Sequence, residues 1–300
     1  MTFIRETRVR FSAGLRSHPA LKGLLFVSPT ALWLILFLAM PLALVVIYSF
    51  FTYGTGGEIL RAFTLDNYLR FFRVPVYSQI LWRSFLVGVE TTLIALILGY
   101  PTAYFLANRK SGSSFLIFLI MVPFWTSYLI RIYSWMLILM ERGVINYILI
   151  NLGIFQEPAQ LLFTPFAVII GMSYSAIPFM ILPIYAVLRG IDFSLVEAAK
   201  TLGASDWQAL LEVTLPLSLP GVVAGSIIVF IQGAGNFLAP AILGGSGDAL
   251  MANVIANRFL EAFNWPLGSA LAVIFLVVMI FFLLLVNKYV AVEEIYGPAR

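Results

Sequence analysis

Two ionisable side chains, Glu90 and Arg131, interrupt long apolar runs of this sequence. A charge at the centre of a bilayer costs about 2.5 to 3.5 kcal/mol on insertion scales, so each needs a partner or a task. Counted from the outer ends of their spans, in the topology derived below, they lie six and eight residues in. At 1.5 Å per residue these depths are roughly 9 and 12 Å, close enough for the two to meet if the spans adjoin. Two readings stand: a structural ion pair, and Glu90 as an acidic way-station for a cationic solute. A second constellation pairs the amides of Gln232 and Asn236, one helical turn apart, with Gly221, Gly225, Gly233 and Gly235. Small residues let helices approach closely, and amides in a membrane need an interior or aqueous face. This run therefore lines a polar pathway, or its amides bind helix to helix. Phe237 and Tyr174 are candidate aromatic walls for alkyl segments and cationic amines. Asp248 and Glu261, in an outer loop, are either solvated or face the solute entrance.

None of these groups makes a catalytic set. There is no cysteine and a single histidine, His18, so thiolate and clustered metal sites are not expected. The stretch GGSGD, Gly244 to Asp248, lacks the lysine of a phosphate-binding G-x-x-x-x-G-K-[ST] loop. The chain is read as no enzyme and as holding no cofactor of its own.

The elements that must position these residues are membrane helices. A composition 61% hydrophobic and 11% charged falls outside that of a soluble globule, whose charged share is about 25%. Apolar runs of spanning length occur at Leu24 to Phe51, Ser84 to Ala107, Phe115 to Leu139, Leu162 to Leu188, Leu219 to about Leu243, and Leu267 to Val290. The first is too long for the apolar core of a secretory signal and is read as a retained span. Between the first two spans, Thr64 or Asp66 can cap a short interfacial helix, NYLRFF. Asn108 to Ser114 forms a tight turn, and Met140 to Gln160 and Gly244 to Pro266 are outer loops. Trp82, Trp135 and Trp265 read as interfacial anchors.

Six spans put both termini on one side. That side, with the Arg109 turn and the segment after span four, holds eleven Lys and Arg, against six opposite and Arg131 within the membrane. The positive-inside bias makes it the cytoplasmic side. The same clustering at span ends accounts for the net charge of +4 without nucleic acid. The expected organisation is an all-α membrane protein: a cytoplasmic tail 1–23, a six-helix transmembrane domain 24–290 containing a cytoplasmic loop 189–218, and a tail 291–300.

That loop is the one long polar interval in the second half of the chain. Asp192 or Ser194 can cap a helix with Glu197 in its first turn, where acid suits the helix dipole. Ala198, Ala199 and Leu202 give that helix a small-residue face, and Gly203 ends it in a left-handed conformation. Ser205 or Asp206 can cap a second helix from Trp207 to Thr214, and Pro216 and Pro220 close the segment. With two basic and four acidic side chains, the knob suits a protein partner better than a lipid surface, where such helices are rich in Lys and Arg.

The order E-A-A, three residues, G, nine residues, an aliphatic residue, one residue, L-P is met by Glu197, Ala198, Ala199, Gly203, Val213, Leu215 and Pro216. It resembles the EAA signature of membrane subunits of ATP-binding-cassette (ABC) importers. FTLDNYLRFF, GYPTAYFLA, VPFWTSYLIRIYSW, LLFTPFAVIIG and NWPLGSA resemble the branch that forms the first membrane subunit of spermidine/putrescine importers. The resemblance spans Leu24 to Val290. It implies a type I importer in a bacterial inner membrane. The implied partners are a second homologous permease subunit, two cytoplasmic ATPase subunits that hold ATP and Mg, an external solute-binding protein and membrane lipid. Glu197 to Gly203 would then be the coupling helix of an alternating-access cycle. Other solutes carried by related permeases (opines, phosphonates, ferric iron) and a carrier or channel without an ATPase are the alternatives, and the EAA spacing speaks against the last two.

Overall fold

The computed structural model describes residues 19–54, 56–109 and 111–289. Most of the expected N-terminal tail, with Arg5, Arg8, Arg10, Arg16 and His18, lies outside the described residues, as does the tail 291–300. By length and composition five helices are able to cross a membrane, and a bent pair supplies a sixth.

The first span comprises α1 (Pro19–Leu34), a π turn (Ile35–Ala39) and α2 (Met40–Tyr48). Pro41 has no N–H to offer Phe37, and its ring would crowd that carbonyl in a regular helix. The wider turn ahead of it relieves the clash, with Met40 donating instead to Ile35 O. The most apolar stretch of this span buries no residue within the chain, so lipid or another subunit covers it.

A two-stranded antiparallel ribbon follows, β1 (Thr52–Tyr53) with β2 (Ile59–Leu60) in the register Thr52–Leu60 and Tyr53–Ile59. The expected interfacial helix is α3 (Asp66–Arg73). The Thr64 hydroxyl accepts the Asp66 N–H at 3.1 Å, and Asn67 Nδ2 donates to the carbonyls of Ser49 and Phe51. This helix is tied down rather than merely resting at the interface. Phe71 is buried in a cluster with Tyr77, Met251, Leu267 and Leu271.

The second span, α4 (Pro75–Asn108), has 34 residues and is roughly 51 Å long at 1.5 Å per residue. It extends nine residues outward beyond the expected start. The third departs from expectation. The run Phe115 to Leu139 is not one rod but α5 (Ser113–Met121), a 3-10 turn (Val122–Trp125) and α6 (Tyr128–Leu139). Pro123 starts the tight turn, Thr126 and Ser127 are extended, and the halves meet at 87°. The depth assigned to Arg131 assumed a straight helix and does not hold. A short α7 (Val144–Asn151), not foreseen, lies in the next loop.

α8 (Pro165–Gly190) is the fourth span and the most enclosed. After α9 (Ser194–Thr201) and α10 (Asp206–Ala209), a second π turn (Leu210–Thr214) leads directly into α11 (Leu215–Ala234). Pro216 and Pro220 therefore do not close the segment. As at Pro41, the π turn accommodates the proline and the helix carries on into the fifth span. That span ends early, at Ala234 instead of about Leu243. Gly235 to Phe237 is non-helical and α12 (Leu238–Leu243) is separate. An unforeseen α13 (Met251–Leu260) occupies the outer loop, and α14 (Trp265–Tyr289) is the sixth span.

The core sits where α4, α8 and α11 cross. Ala95, Ala103, Leu106, Met180, Ile184, Leu188 and Val229 are buried there together. A Cβ on Gly233 would lie 3.1 Å from the Gly88 Cα, and one on Gly221 would lie 2.8 Å from Pro183 O. Glycine is what permits these crossings.

Candidate functional site

The break at the end of α11 lies at a cavity of about 410 Å³ that is open on one side. α4 contributes Thr91, the bent third span contributes Phe124, Tyr128 and Arg131, and α8 contributes Met172, Ser175 and Phe179. Gln232, Asn236 and Phe237 come from the end of α11 and the break. The Asn236 amide donates to the Tyr128 hydroxyl at 2.6 Å, and its oxygen accepts the Ala239 N–H at 3.0 Å, capping α12.

Hydroxyls in apolar helices ordinarily return to the carbonyl four residues back. Thr92, Thr102 and Ser134 do so. Thr91 and Ser175, 1% and 7% exposed, have no partner among the described residues. An unmet buried hydroxyl costs about 1 to 3 kcal/mol, and both residues belong to the cavity wall. The Arg131 guanidinium lies 4.6 Å from the Phe124 ring centroid and 5.7 Å from that of Tyr128. The ring faces partly offset its desolvation. Its Nε and Nη1 are without an acceptor among the described residues, and no carboxylate lines the cavity.

Three of the five expected pathway residues, Gln232, Asn236 and Phe237, therefore converge. Glu90 and Tyr174 do not. Each immediately precedes a lining residue, Thr91 and Ser175, and a step of one residue turns a helix by roughly 100°. Glu90 opens instead onto a small cavity with Arg83 and Asp248, and Tyr174 packs edge-on against Trp135 at 5.7 Å. The expected Glu90–Arg131 ion pair is not formed. Among the described residues the ion pairs are Arg73–Asp66 and Lys200–Asp206. Thr91 and Ser175 were not singled out because hydroxyls in apolar helices ordinarily bond their own backbone, as the neighbouring Thr92 does. Their place beside Glu90 and Tyr174 was the one clue.

The polar hairpin after α8 is built largely as its residues suggest. The Asp192 carboxylate accepts the Ser194 N–H at 3.0 Å at the start of α9, and this bond holds the Asp192 carboxyl below the usual carboxylate range. Gly203 turns the chain at φ 100°. Ser205, not Asp206, caps α10 in a reciprocal box with Gln208. Asp206 instead bonds Lys200 at 2.5 Å. That hydrogen bond, then the charge, lowers the Asp206 pKa and raises that of Lys200. Glu197, Ala198 and Gly203 are exposed, Ala199 is half-buried, and Val196 anchors the helix from beneath. At the tip, Leu202 is 90% exposed and Trp207 66%.

Comparison with known proteins places this arrangement. Residues 23–291 match the family model described as "Binding-protein-dependent transport system inner membrane component". The "Spermidine/putrescine transport system permease protein PotB" of Escherichia coli (strain K12) is 39% identical over 269 residues, covering 87% of this chain and 98% of that protein. The protein of the same description from Haemophilus influenzae is 40% identical over 242 residues, covering 80% and 84%. In fold, the chain resembles a subunit in the crystal structure of a bacterial ABC transporter involved in import of the acidic polysaccharide alginate. The TM-score is 0.70 at 19% identity, over 93% of this chain and 98% of that one.

Proposed function

This chain belongs to the family of binding-protein-dependent transport system inner membrane components, and from that premise we propose that it moves a polyamine such as spermidine or putrescine across that membrane. It is a permease subunit of an ABC importer. Support for the solute comes from relatives named for spermidine and putrescine that match at 39–40% identity over most of both chains. The chain itself is non-catalytic. ATP and Mg are held by two partner ATPases, and a second, different permease subunit completes the pathway. Both termini and the hairpin 189–218 face the cytoplasm.

The observation that carries the coupling role is Leu202. A leucine exposed to 90%, on a rigid turn set among acids and away from the apolar spans, is the anchor that a protein groove would bury. Closure of the ATPases would bring this hairpin and its counterpart on the second subunit together. The connection to the pathway is short, because α10, the π turn and α11 run on without a break to Ala234. Motion at the hairpin reaches Gln232 through one rod.

Among the described residues the cavity lining offers amides and aromatic rings to a polyamine but no acid. The carboxylates that balance the solute's charge therefore belong to the second subunit and the binding protein. Arg131 favours a second reading: a guanidinium in the cavity wall suits a solute bearing a carboxylate or phosphonate. The test is the ATPase activity of the complete assembly in proteoliposomes with its cognate binding protein. Stimulation by spermidine or putrescine supports the first reading. Stimulation only by an acidic solute replaces it with the second.

A further inference from the structure

Phe237 belongs to two cavities at once. On one side it walls the intramembrane cavity. On the other it lines a second cavity, of about 520 Å³, with Tyr77, Asn253, Asn257, Arg258 and Glu261. The ring is 51% exposed and forms part of the wall of both. It sits in the non-helical break between α11 and α12. The Phe237 carbonyl accepts the Ala241 N–H, the first bond of α12, at 3.2 Å, and Asn253 Nδ2 at 2.6 Å. The Asn253 oxygen in turn accepts the Leu250 N–H at 3.0 Å. One amide side chain thus joins the start of α13 to the break. The start of α13 is itself fixed to α4, with the Met251 N–H donating to Ser84 Oγ at 2.7 Å.

We propose that the Phe237 ring is the partition between an outer vestibule and the intramembrane cavity, and that Asn253 is the positioning residue that holds it across the route. This rests on the orientation proposed above, in which α13 is external. The vestibule supplies what the inner cavity lacks: Glu261 brings a carboxylate, hydrogen-bonded to Asn257, while Arg258 turns its Nη2 toward the Tyr77 hydroxyl at 3.4 Å. An ammonium group in the vestibule has the Glu261 carboxylate and the Phe237 ring in one lining, with Arg258 beside them. A tilt of α13 moves the Asn253 amide, and with it the carbonyl beneath the ring. On the other side of the break, Asn236 stays fixed to Tyr128. The break that carries the ring is therefore tethered to two different helices, α6 and α13.

The chain has no cysteine, so single replacements can report access in the complete, nucleotide-free assembly. Asn257→Cys reports the vestibule and Gln232→Cys the inner cavity, each probed from outside with a membrane-impermeant methanethiosulfonate. Asn257→Cys is expected to react fast and Gln232→Cys slowly. Phe237→Ala is expected to raise the Gln232→Cys rate tenfold or more. Asn253→Asp keeps the acceptor for Leu250 but loses the donor to Phe237, and is expected to raise that rate by a smaller factor. The Asn257→Cys rate, unchanged in both, shows that the outer face is still folded. The partition is overturned if Gln232→Cys reacts as fast as Asn257→Cys in the parent, or if Phe237→Ala leaves its rate unmoved. Loss of Asn257→Cys labelling in the parent overturns the orientation and the partition together. Labelling as expected without polyamine-stimulated ATPase activity overturns the solute alone.

Discussion

Asn236, in the break after α11, donates to the Tyr128 hydroxyl at the start of α6 at 2.6 Å, and that bond ties the end of the fifth span to the bent third. Asn236 cannot leave Tyr128 without also releasing the Ala239 N–H that it caps. Tyr128→Phe removes only the first contact, whereas Asn236→Ala removes both. Hydrogen bonds between membrane helices average about 0.6 kcal/mol and reach about 1.7. Tyr128→Phe is expected to destabilise the purified protein by about that average, and Asn236→Ala by more, in denaturant unfolding from detergent. Equal losses would mean that the cap contributes nothing.

Gly203 has open space around it but a φ of 100°. Gly203→Ala therefore introduces backbone strain without a clash, about 1 to 2 kcal/mol. The hairpin is expected to lose definition locally, seen as faster hydrogen exchange over residues 199–209, while the spans remain protected. Solute-stimulated ATPase activity is expected to fall more than basal activity. Unchanged exchange would show that the turn tolerates a side chain.

Glu90 and Arg131 are not partners, so their replacements are expected to part company. Glu90→Gln should leave protein yield and thermal midpoint unchanged, with stability within about 0.5 kcal/mol, as for a site outside core and network. Arg131→Gln removes the one charge that lines the cavity. For a polyamine the uptake KM is expected to fall; a rise points to an acidic solute. Similar loss of folded protein in both variants would restore the ion pair.

The Lys200–Asp206 contact sets the pH range of the hairpin. Asp206 is held below its ordinary value of 3.8, so its contribution is present above that value and is lost as pH falls through the lower folded value. Lys200 is raised above 10.5, so its contribution is complete below that value and is lost as pH rises through the higher folded one. Protection factors for residues 199–209 are expected to be flat from about pH 5 to 9. They are expected to drop at the acid extreme and to weaken with salt, because the pair is exposed. A mid-range transition near pH 6 or 7 would contradict this.

Much of this was legible in the sequence. Long apolar runs located the spans, and the hairpin was readable down to its Asp192 and Ser205 contacts, because capping is local chemistry. The prolines were misleading. Pro216 and Pro220 read as stops, yet the π turn at Leu210–Thr214 carries the helix past Pro216, and no composition signal marks such a turn. Pro123 lay within an apolar run whose length suggested one span, although the chain bends there by 87°. The expected pathway residues and the cavity lining share α4, α8 and the end of α11. Periodicity within an almost wholly apolar run does not fix which face turns inward, so the cavity is lined by Thr91 and Ser175 and not by the adjacent Glu90 and Tyr174. α13 was not foreseen because its ten residues fall in an interval read as loop, and the contact of its start with Ser84 joins segments far apart in the sequence.

The coupling claim is tested most directly by placing a photo-crosslinking amino acid at Leu202 in the assembled transporter and identifying what it captures. The account expects the ATPase subunit, with capture changing as nucleotide is added. Capture of lipid or of the external binding protein instead would contradict it.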